Sequence, residues 1–191
     1  AATPLQYGSS VMSDSPAART QVLDCLVVGA GPTGLSCAIE LQHLGVAAVV
    51  FDKGCVVNSL YHYPTNMTFF TTPELLEIGD LPMTAVRDKP NRTEALKYYR
   101  RVAEHYKLDI RQYENVHDIE RTADGFLVRS VNRRGRSCEY QARTIILATG
   151  YYDLPVKMGV PGEDLAKVLH YYVEPHPFYD CDVAVIGAKN S

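Results

Sequence analysis

Three glycines at a fixed spacing are the residues of this sequence whose chemistry is clearest. They belong to a short segment made of Gly29, Ala30, Gly31, Pro32, Thr33 and Gly34. In such a G-x-G-x-x-G pattern the first glycine permits a tight turn and the second lets backbone N–H groups approach a pyrophosphate. The third allows a helix to pack closely on a strand, and the N-terminus of that helix directs partial positive charge at the phosphates. The pattern predicts a dinucleotide-binding loop.

Two further segments fit nucleotide binding. Asp52 lies 18 residues beyond Gly34, close to the roughly 20 expected for an acidic residue that accepts hydrogen bonds from an adenosine ribose. Near the end of the chain, the apolar run 182–186 leads into a second turn. In that turn, the glycine positions of a second nucleotide motif are occupied by Gly187, Lys189 and Ser191.

The elements around the first motif must form a βαβ unit. An apolar, β-branched run at 24–28 predicts a buried strand before the glycine loop, and the run 46–51 predicts a second strand that ends at Asp52. Gly45 stands where a left-handed residue ends a helix. The residues at helical spacing between the two strands are Leu35, Ala38, Ile39, Leu41 and Leu44. The 29 residues from 24 to 52 suffice for two parallel strands and a crossover helix.

Beyond Asp52 the pattern changes twice. The connection 55–80 is long enough to suggest a functional loop, with a short helix starting at Pro73. Asn91 and Glu94 have capping-box spacing before a helix that runs to about Tyr106. The period then becomes two, which predicts short strands at 109–113, 115–121, 125–131 and 137–142. Apolar runs predict further strands at 144–148 and 182–186.

Composition excludes several classes of protein. Of the 191 residues 46% are hydrophobic and 21% charged, which is typical of a globular chain rather than a disordered one. The net charge of −3 gives no general attraction to nucleic acid or to an anionic membrane. The apolar run 46–51 is far below the roughly 20 residues that span a bilayer. Five scattered cysteines without a C-x-x-C pair argue against a disulfide framework or a zinc site, so we expect a cytoplasmic protein without a metal.

A second group of motifs carries a family resemblance. The apolar strand 144–148 ends in Ala148, Thr149 and Gly150, which resembles the second fingerprint of flavoproteins with two dinucleotide-binding domains. The closer resemblance is to the YpdA-like family of thioredoxin-reductase-type flavoproteins, which are bacillithiol-disulfide reductases. It rests on residues 53–59, 63–65, 69–70, 76–80, 148–153, 159–164 and 187–191.

This resemblance implies both fold and activity. The fold would be α/β, a Rossmann-like FAD-binding domain with a parallel sheet and an inserted β-meander, incomplete at the C-terminus. The implied division is a flexible tail at 1–21, an FAD-binding domain at 22–155, a linker at 156–180 and the truncated start of an NAD(P)H-binding domain at 181–191. Electrons would pass from NADPH through FAD to a small-molecule disulfide, and the resemblance favours a homo-oligomer.

The resemblance also implies positions near the cofactor. Residues that would approach FAD, besides the glycine loop and Asp52, are Lys53, Asn58, Ser59, Tyr63, Thr65, Phe69, Val116, Ala148, Thr149 and Gly150. Several family members carry a cysteine in the glycine loop where this chain has Thr33. A nucleophilic sulfur must reach its substrate, and no catalytic residue is therefore assigned.

Two alternatives to the reductase stay open. Flavin monooxygenases carry an F-x-G-x-x-x-H pattern before the second nucleotide motif, and residues 164–170 keep only its last residue, His170. The other alternative is a flavin-binding fragment without turnover of its own. Bound FAD without NADPH oxidation would favour the fragment, and disulfide-dependent or oxygen-dependent NADPH consumption would separate the reductase from the monooxygenase.

Overall fold

The computed structural model describes residues 22–187, and a six-stranded sheet forms the centre of this part of the chain. Its strands are β1 (Val22–Val28), β2 (Ala48–Asp52), β3 (Asp109–Gln112), β4 (Asn115–Thr122), β5 (Gly125–Val131) and β6 (Ser137–Leu147). The helices are α1 (Pro32–His43), α2 (Asn58–Tyr61) and α3 (Arg92–Tyr106). The strand order is β3-β2-β1-β6-β5-β4. Residues 1–21, for which a flexible tail is predicted, lie outside the described residues.

The parallel half of the sheet contains the predicted βαβ unit. Strand β1 pairs in parallel with both β2 and β6, and β2 pairs in parallel with β3. Leu26 and Val27 in β1 have no exposed surface, as expected for a strand covered on both faces. Helix α1 ends at His43, so Leu44 lies beyond it and is 77% exposed rather than buried with the apolar stripe. Gly45 follows with the predicted positive φ of 72°.

The antiparallel half is the inserted meander. Strand β4 pairs with β5, and β5 pairs with β6. The predicted strands 137–142 and 144–148 are in fact one continuous strand, β6. Its first part is antiparallel to β5 and its second part is parallel to β1. The prediction of a break at Arg143 was wrong because one strand serves both pairings. Strand β3, grouped with the meander by its period, instead extends the parallel half beside β2.

Two hydrophobic clusters cover the two faces of the parallel strands. On one face, Val27 and Val50 pack with α1 and with the buried stripe of α3, which includes Tyr99 and Val102. On the other face, the core is formed with the meander by Leu23, Leu26, Val49, Phe51, Val128 and Ala142. The buried stripe of α3 is therefore part of the core.

Helix α3 begins as the sequence predicts. The Asn91 side chain accepts a hydrogen bond from the Glu94 backbone at 2.9 Å, and the Glu94 carboxylate accepts one from the Asn91 backbone at 2.8 Å. This reciprocal pair satisfies two backbone donors that a helix start leaves free. In the long connection, a single 3-10 turn spans Pro73–Leu75, where a short helix is predicted to start.

One predicted strand is absent from the described residues. The apolar run 182–186 forms no strand and is not part of the sheet, and Val185 and Ile186 are 85% and 75% exposed. A buried parallel strand needs neighbours that supply hydrogen bonds, and no described strand flanks this run. The prediction of a strand at 182–186 was therefore wrong, as far as the described residues show. None of the helices within residues 22–187 has the length and apolarity needed to cross a membrane.

Candidate functional site

Three of the predicted nucleotide-binding segments meet at the carboxyl ends of the parallel strands. Strands β1, β2 and β6 are parallel neighbours, so their carboxyl ends bring Gly29, Asp52 and Ala148 together. The Gly29 N–H donates to the Phe51 carbonyl at 2.7 Å, and the Ala148 N–H donates to the Val28 carbonyl at 2.8 Å. In open α/β sheets, ligands bind in the crevice outside the carboxyl ends of the strands.

The structure gives different reasons for a glycine at each of the three positions of the loop. Gly29 has a φ of +111°, and a Cβ there would lie 2.2 Å from the Ala148 carbonyl oxygen. A Cβ on Gly34 would lie 1.8 Å from the Gly29 carbonyl oxygen. At Gly31 the φ is −74°, and a Cβ there would have no heavy atom of the described residues within 4 Å beyond Gly31 and its two chain neighbours. Protein packing therefore requires the first and third glycines, whereas Gly31 borders open space.

This open space lies at the N-terminus of α1. Gly31 is the N-cap residue, no described side chain caps it, and the first turn contains no acidic residue. Pro32 at the first helical position has no N–H to leave unsatisfied. The remaining free N–H groups of the first turn, together with the helix dipole, favour an anion. The geometry suits a phosphate beside Gly31.

Asp52 braces the glycine loop from the adjacent strand. One carboxylate oxygen accepts from the Ala30 N–H at 2.7 Å and the other from the Gly54 N–H at 2.8 Å. Each carboxylate oxygen has a second lone pair, so the predicted contact with a ribose hydroxyl remains chemically open to it. Asp52 thus shapes the loop in addition to its predicted role.

Lys53 is tied across the same strand ends. Its ammonium lies 2.5 Å from the carboxylate of Asp153, which follows the Ala148–Gly150 segment. Since β1 lies between β2 and β6, this ion pair reaches across the carboxyl end of β1. Both side chains retain solvent contact, with exposed fractions of 53% and 28%.

A cavity of about 360 Å³ opens beside the first turn of α1. Its wall includes four residues predicted to approach the cofactor, Pro32, Thr33, Tyr63 and Phe69. Lining residues that the sequence did not predict are Ser36, Leu60, Leu75, Leu76, Glu77, Ile78 and Tyr99. Helical spacing marks Ser36 and Tyr99 only as positions on α1 and α3, and gives no signal that they share a wall.

Tyr63 forms the aromatic part of this wall. Its ring centroid lies 6.4 Å from that of Phe69 and 4.7 Å from that of Tyr152. Burial raises the pKa of the Tyr63 hydroxyl above its ordinary value. The hydroxyl therefore stays protonated at neutral pH and can donate a hydrogen bond.

The other residues of the predicted set lie outside the cavity wall. The Asn58 side chain packs over Gly54 and accepts a weak hydrogen bond from the Cys55 thiol at 3.7 Å. Ser59 follows it in α2, and the Thr65 N–H donates to the Val173 carbonyl at 2.9 Å. Val116 lies in β4 next to a β-bulge. The structure thus brings the glycine loop, Asp52 and the strand ends together, with the cavity adjoining the loop through Thr33.

A buried carboxylate that the sequence does not reveal lies beside Asp52. Glu114 is 7% exposed and accepts hydrogen bonds from the Ser130 hydroxyl and, at 3.3 Å, from the Tyr140 hydroxyl. Its backbone N–H donates to the Asp52 carbonyl at 2.8 Å. Burial is the largest of the effects that raise the pKa of Tyr140 to about 12, so this hydroxyl remains a donor. Glu114 fixes the meander to the strand end that carries Asp52.

No cysteine lines the cavity among the described residues. All five thiols are free, and burial raises the pKa of both Cys25 and Cys55. A thiol with a raised pKa carries little thiolate at neutral pH and is a poor nucleophile. Residues 22–187 also contain no cluster of three His, Cys, Asp or Glu side chains arranged to hold a metal ion.

The second predicted nucleotide motif is only partly described. Gly187 has a φ of +100°, a conformation in which glycine is favoured. Lys189 and Ser191 lie outside the described residues. Their assignment to a pyridine nucleotide site stays a prediction.

Comparison with known proteins identifies the family. Residues 26–191 match the family described as "Pyridine nucleotide-disulphide oxidoreductase". The chain belongs to this family. A bacilliredoxin reductase, Bdr, of Bacillus subtilis is 46% identical over 166 residues, which is 87% of this chain and 50% of that protein. The chain thus spans about half the length of the curated relatives it matches.

Solved structures agree with this membership. The bacillithiol disulfide reductase Bdr (YpdA) from Bacillus cereus superposes with a TM-score of 0.81 at 42% identity, over 83% of this chain and 49% of that one. Its counterpart from Staphylococcus aureus gives 0.79 at 38% identity, over 83% and 47%. These relatives confirm the predicted Rossmann-like α/β fold and the family resemblance. A ferredoxin–NADP reductase of Ignicoccus hospitalis, 24% identical over 88% of this chain and 50% of its own, bears one of the two predicted cofactors in its name.

Proposed function

We propose that this chain is the FAD-binding part of an NADPH-dependent oxidoreductase that reduces a small-molecule disulfide. The observation that carries the proposal is the open space at Gly31, which faces the uncapped N-terminus of α1. Neither backbone conformation nor packing requires a glycine there, whereas the close approach of a pyrophosphate does. Asp52 on the neighbouring strand end suits the adenosine half of the same cofactor.

The cavity beside Thr33 suits the flavin half. Its volume of about 360 Å³ lies within the roughly 300–1,000 Å³ of small-molecule sites, which are mostly apolar with a few polar groups. Here Phe69 and Tyr63 supply aromatic walls, and the hydroxyls of Thr33 and Ser36 supply hydrogen-bonding groups. FAD, when bound, supplies the hydride and electron transfer, while the protein binds it, orients it and tunes it.

The proposed reaction uses the flavin between two substrates. NADPH gives up a hydride, and the disulfide takes up two electrons and two protons as its S–S bond breaks into two thiols. The second proton comes from solvent. No described cysteine lines the cavity. In the proposed reaction, electrons therefore pass to the disulfide without a thiol of the cavity wall as an intermediate. The relatives named bacillithiol disulfide reductase support a low-molecular-weight disulfide as acceptor.

The test begins with binding. FAD titrated into the 191-residue chain, followed by flavin fluorescence, is expected to saturate at one equivalent. Replacement of Asp52 by alanine removes both the ribose acceptor and the brace on the Ala30 N–H. We expect FAD affinity to fall at least tenfold, whereas Asp118→Ala, in an exposed part of the meander, should leave it unchanged. Equal affinity of the Asp52 variant and the parent chain would contradict the assignment.

Turnover then distinguishes the reaction classes. NADPH oxidation by the FAD-loaded protein should depend on added disulfide. Oxygen-dependent consumption without disulfide would favour monooxygenation, to which the resemblance is weaker: a flavin-containing monooxygenase of Arabidopsis thaliana is 24% identical over 91% of this chain and 47% of its own length. Bound FAD without NADPH oxidation in either assay would favour a non-catalytic flavin-binding protein.

A further inference from the structure

The first residue of α3 carries a charge that the helix itself does not favour. Arg92 opens this helix directly after the N-cap Asn91. The N-terminus of a helix has partial positive charge, so a cation there is unfavourable. Glu94 in the same turn offsets part of this repulsion. The position of Arg92 therefore calls for an explanation outside α3.

The Arg92 side chain ends on the carboxyl end of α2. Its Nε donates to the Leu60 carbonyl at 3.1 Å, and an Nη donates to the Tyr61 carbonyl. The guanidinium also lies 5.4 Å from the centroid of the Tyr61 ring. The last carbonyls of a helix lack partners within it. A planar guanidinium with several donors suits two neighbouring carbonyls at once, whereas a lysine ammonium is a compact point charge.

The backbone of the same residue holds the loop that follows α2. The Arg92 N–H donates to the Met67 carbonyl at 2.9 Å, and the Phe69 N–H donates to the Pro90 carbonyl at 2.9 Å. The Arg92 side chain thus contacts residues 60–61, before Tyr63, and its backbone contacts Met67, after Thr65. The enclosed loop, residues 62–66, contains two of the residues predicted to approach FAD.

The other end of α2 is tied to the glycine loop. The Val57 N–H donates to the Ala30 carbonyl at 2.9 Å, and Val57 is buried in the left-handed conformation with a φ of 51°. Helix α2 is therefore held at one end by the phosphate loop and at the other by Arg92. Leu60, whose carbonyl accepts from Arg92, and Tyr63, two residues beyond Tyr61, both line the cavity.

We propose that Arg92 is a positioning residue for the flavin half of the cofactor site. It fixes the α2–loop segment, residues 58–69, so that Tyr63 and Phe69 form one wall of the cavity before the ligand arrives. A preformed wall spares the ordering of this loop on binding. The inference rests on the proposed function for the identity of the ligand, but the clamp itself is a property of the protein alone.

The first measurement tests the clamp without any ligand. The amides of Thr65, Met67 and Phe69 all donate to carbonyl oxygens, so their hydrogen exchange reports opening of the loop. In Arg92→Ala, we expect their exchange to accelerate about tenfold relative to the parent chain. Arg101→Ala removes an exposed arginine from the same helix and should leave these rates unchanged. Unchanged exchange in Arg92→Ala would overturn the clamp.

The second measurement tests the positioning of the cofactor. FAD contains both halves of the ligand, whereas ADP contains only the adenosine and phosphates. Arg92→Ala should weaken FAD about tenfold and change ADP affinity less than twofold. Arg92→Lys should resemble Arg92→Ala rather than the parent, because one ammonium cannot replace the two-carbonyl contact. Arg101→Ala should bind both ligands as the parent does.

The outcomes separate this inference from the proposed function. Equal losses for FAD and ADP would indicate general destabilisation and overturn the positioning role, as would a faster-exchanging loop with unchanged FAD affinity. If the parent chain bound neither ligand, the proposed function would fail, and hydrogen exchange would still decide whether Arg92 clamps the loop.

Discussion

Alanine substitutions at Gly31 and Gly34 should separate ligand contact from protein packing. The two glycines belong to one motif and are three residues apart, yet their surroundings differ. A Cβ on Gly34 would lie 1.8 Å from the Gly29 carbonyl oxygen, whereas a Cβ on Gly31 would meet no heavy atom of the described residues within 4 Å except those of Gly31 and its two chain neighbours. The same chemical change is therefore expected to affect folding at one position and cofactor binding at the other.

The magnitudes follow from these environments. At Gly31 the φ of −74° and ψ of 177° suit any residue. Alanine there loses less chain entropy on folding, a gain of about 0.4–1 kcal/mol, but it is a poorer N-cap than glycine by a similar amount. We expect the free energy of unfolding to stay within about 1 kcal/mol of the parent value. Gly34→Ala forces backbone apart and should lower the free energy of unfolding by about 3 kcal/mol or more.

For FAD affinity, Gly31→Ala is the informative substitution. A methyl group at Gly31 occupies the space assigned to the pyrophosphate, so we expect Gly31→Ala to weaken FAD at least 100-fold, or about 2.7 kcal/mol. The assays are urea unfolding of the chain without ligand and fluorescence titration with FAD. Wild-type FAD affinity in Gly31→Ala would refute the phosphate site, and wild-type stability of Gly34→Ala would refute the packing argument.

Two further predictions concern stability alone. Asn91→Ala breaks the reciprocal hydrogen bonds with Glu94 and should lower the free energy of unfolding by about 1 kcal/mol, measured with urea; an unchanged value would show that the cap contributes nothing. Glu163 accepts hydrogen bonds from the Met158 and Gly159 N–H groups and pairs with His170. These contacts, the Met158 N–H first, lower the pKa of Glu163 to about 2. Its carboxylate thus stabilises the fold above the ordinary carboxyl pKa of 4.5, and this contribution disappears as the pH falls towards 2. Glu163→Gln should therefore reduce the loss of thermal stability in that pH window, and parallel Tm profiles for the two proteins would contradict the assignment.

Local signals in the sequence predicted the parts of the fold that depend on neighbours along the chain. The glycine loop, the apolar stripe at Leu35 and Ile39, and the Asn91–Glu94 cap each involve residues within one or two helical turns. Periodicity also located the strands of the meander. Such signals are reliable where backbone geometry and a nearby side chain decide the conformation.

Errors arose where distant pairing decides the structure. The residues of β6 contain no turn signal that tells one strand from two, and only its pairing with both β5 and β1 makes it continuous. The run 182–186 has the composition of a buried strand, but no described strand lies beside it. Composition alone therefore gave the wrong prediction of a strand. Glu114 and Arg92 also escaped prediction. The partners of the Glu114 side chain are 16 and 26 residues away along the chain, and those of the Arg92 side chain are 31 and 32 residues away.

The sequence by itself determined the type of loop, the acidic residue of the adjoining strand and the family. These depend on residue identity at fixed spacing, which the linear chain contains in full. The tertiary structure decided how the loop, the cavity and the connection 55–80 adjoin one another. It also showed that Gly29 and Gly34 are required by packing and Gly31 is not, and that Arg92 donates hydrogen bonds to carbonyls on both sides of Tyr63. The physical reason is that van der Waals contacts and hydrogen bonds act over a few ångströms in space. They can join segments that lie far apart along the chain, so the order of residues does not reveal them.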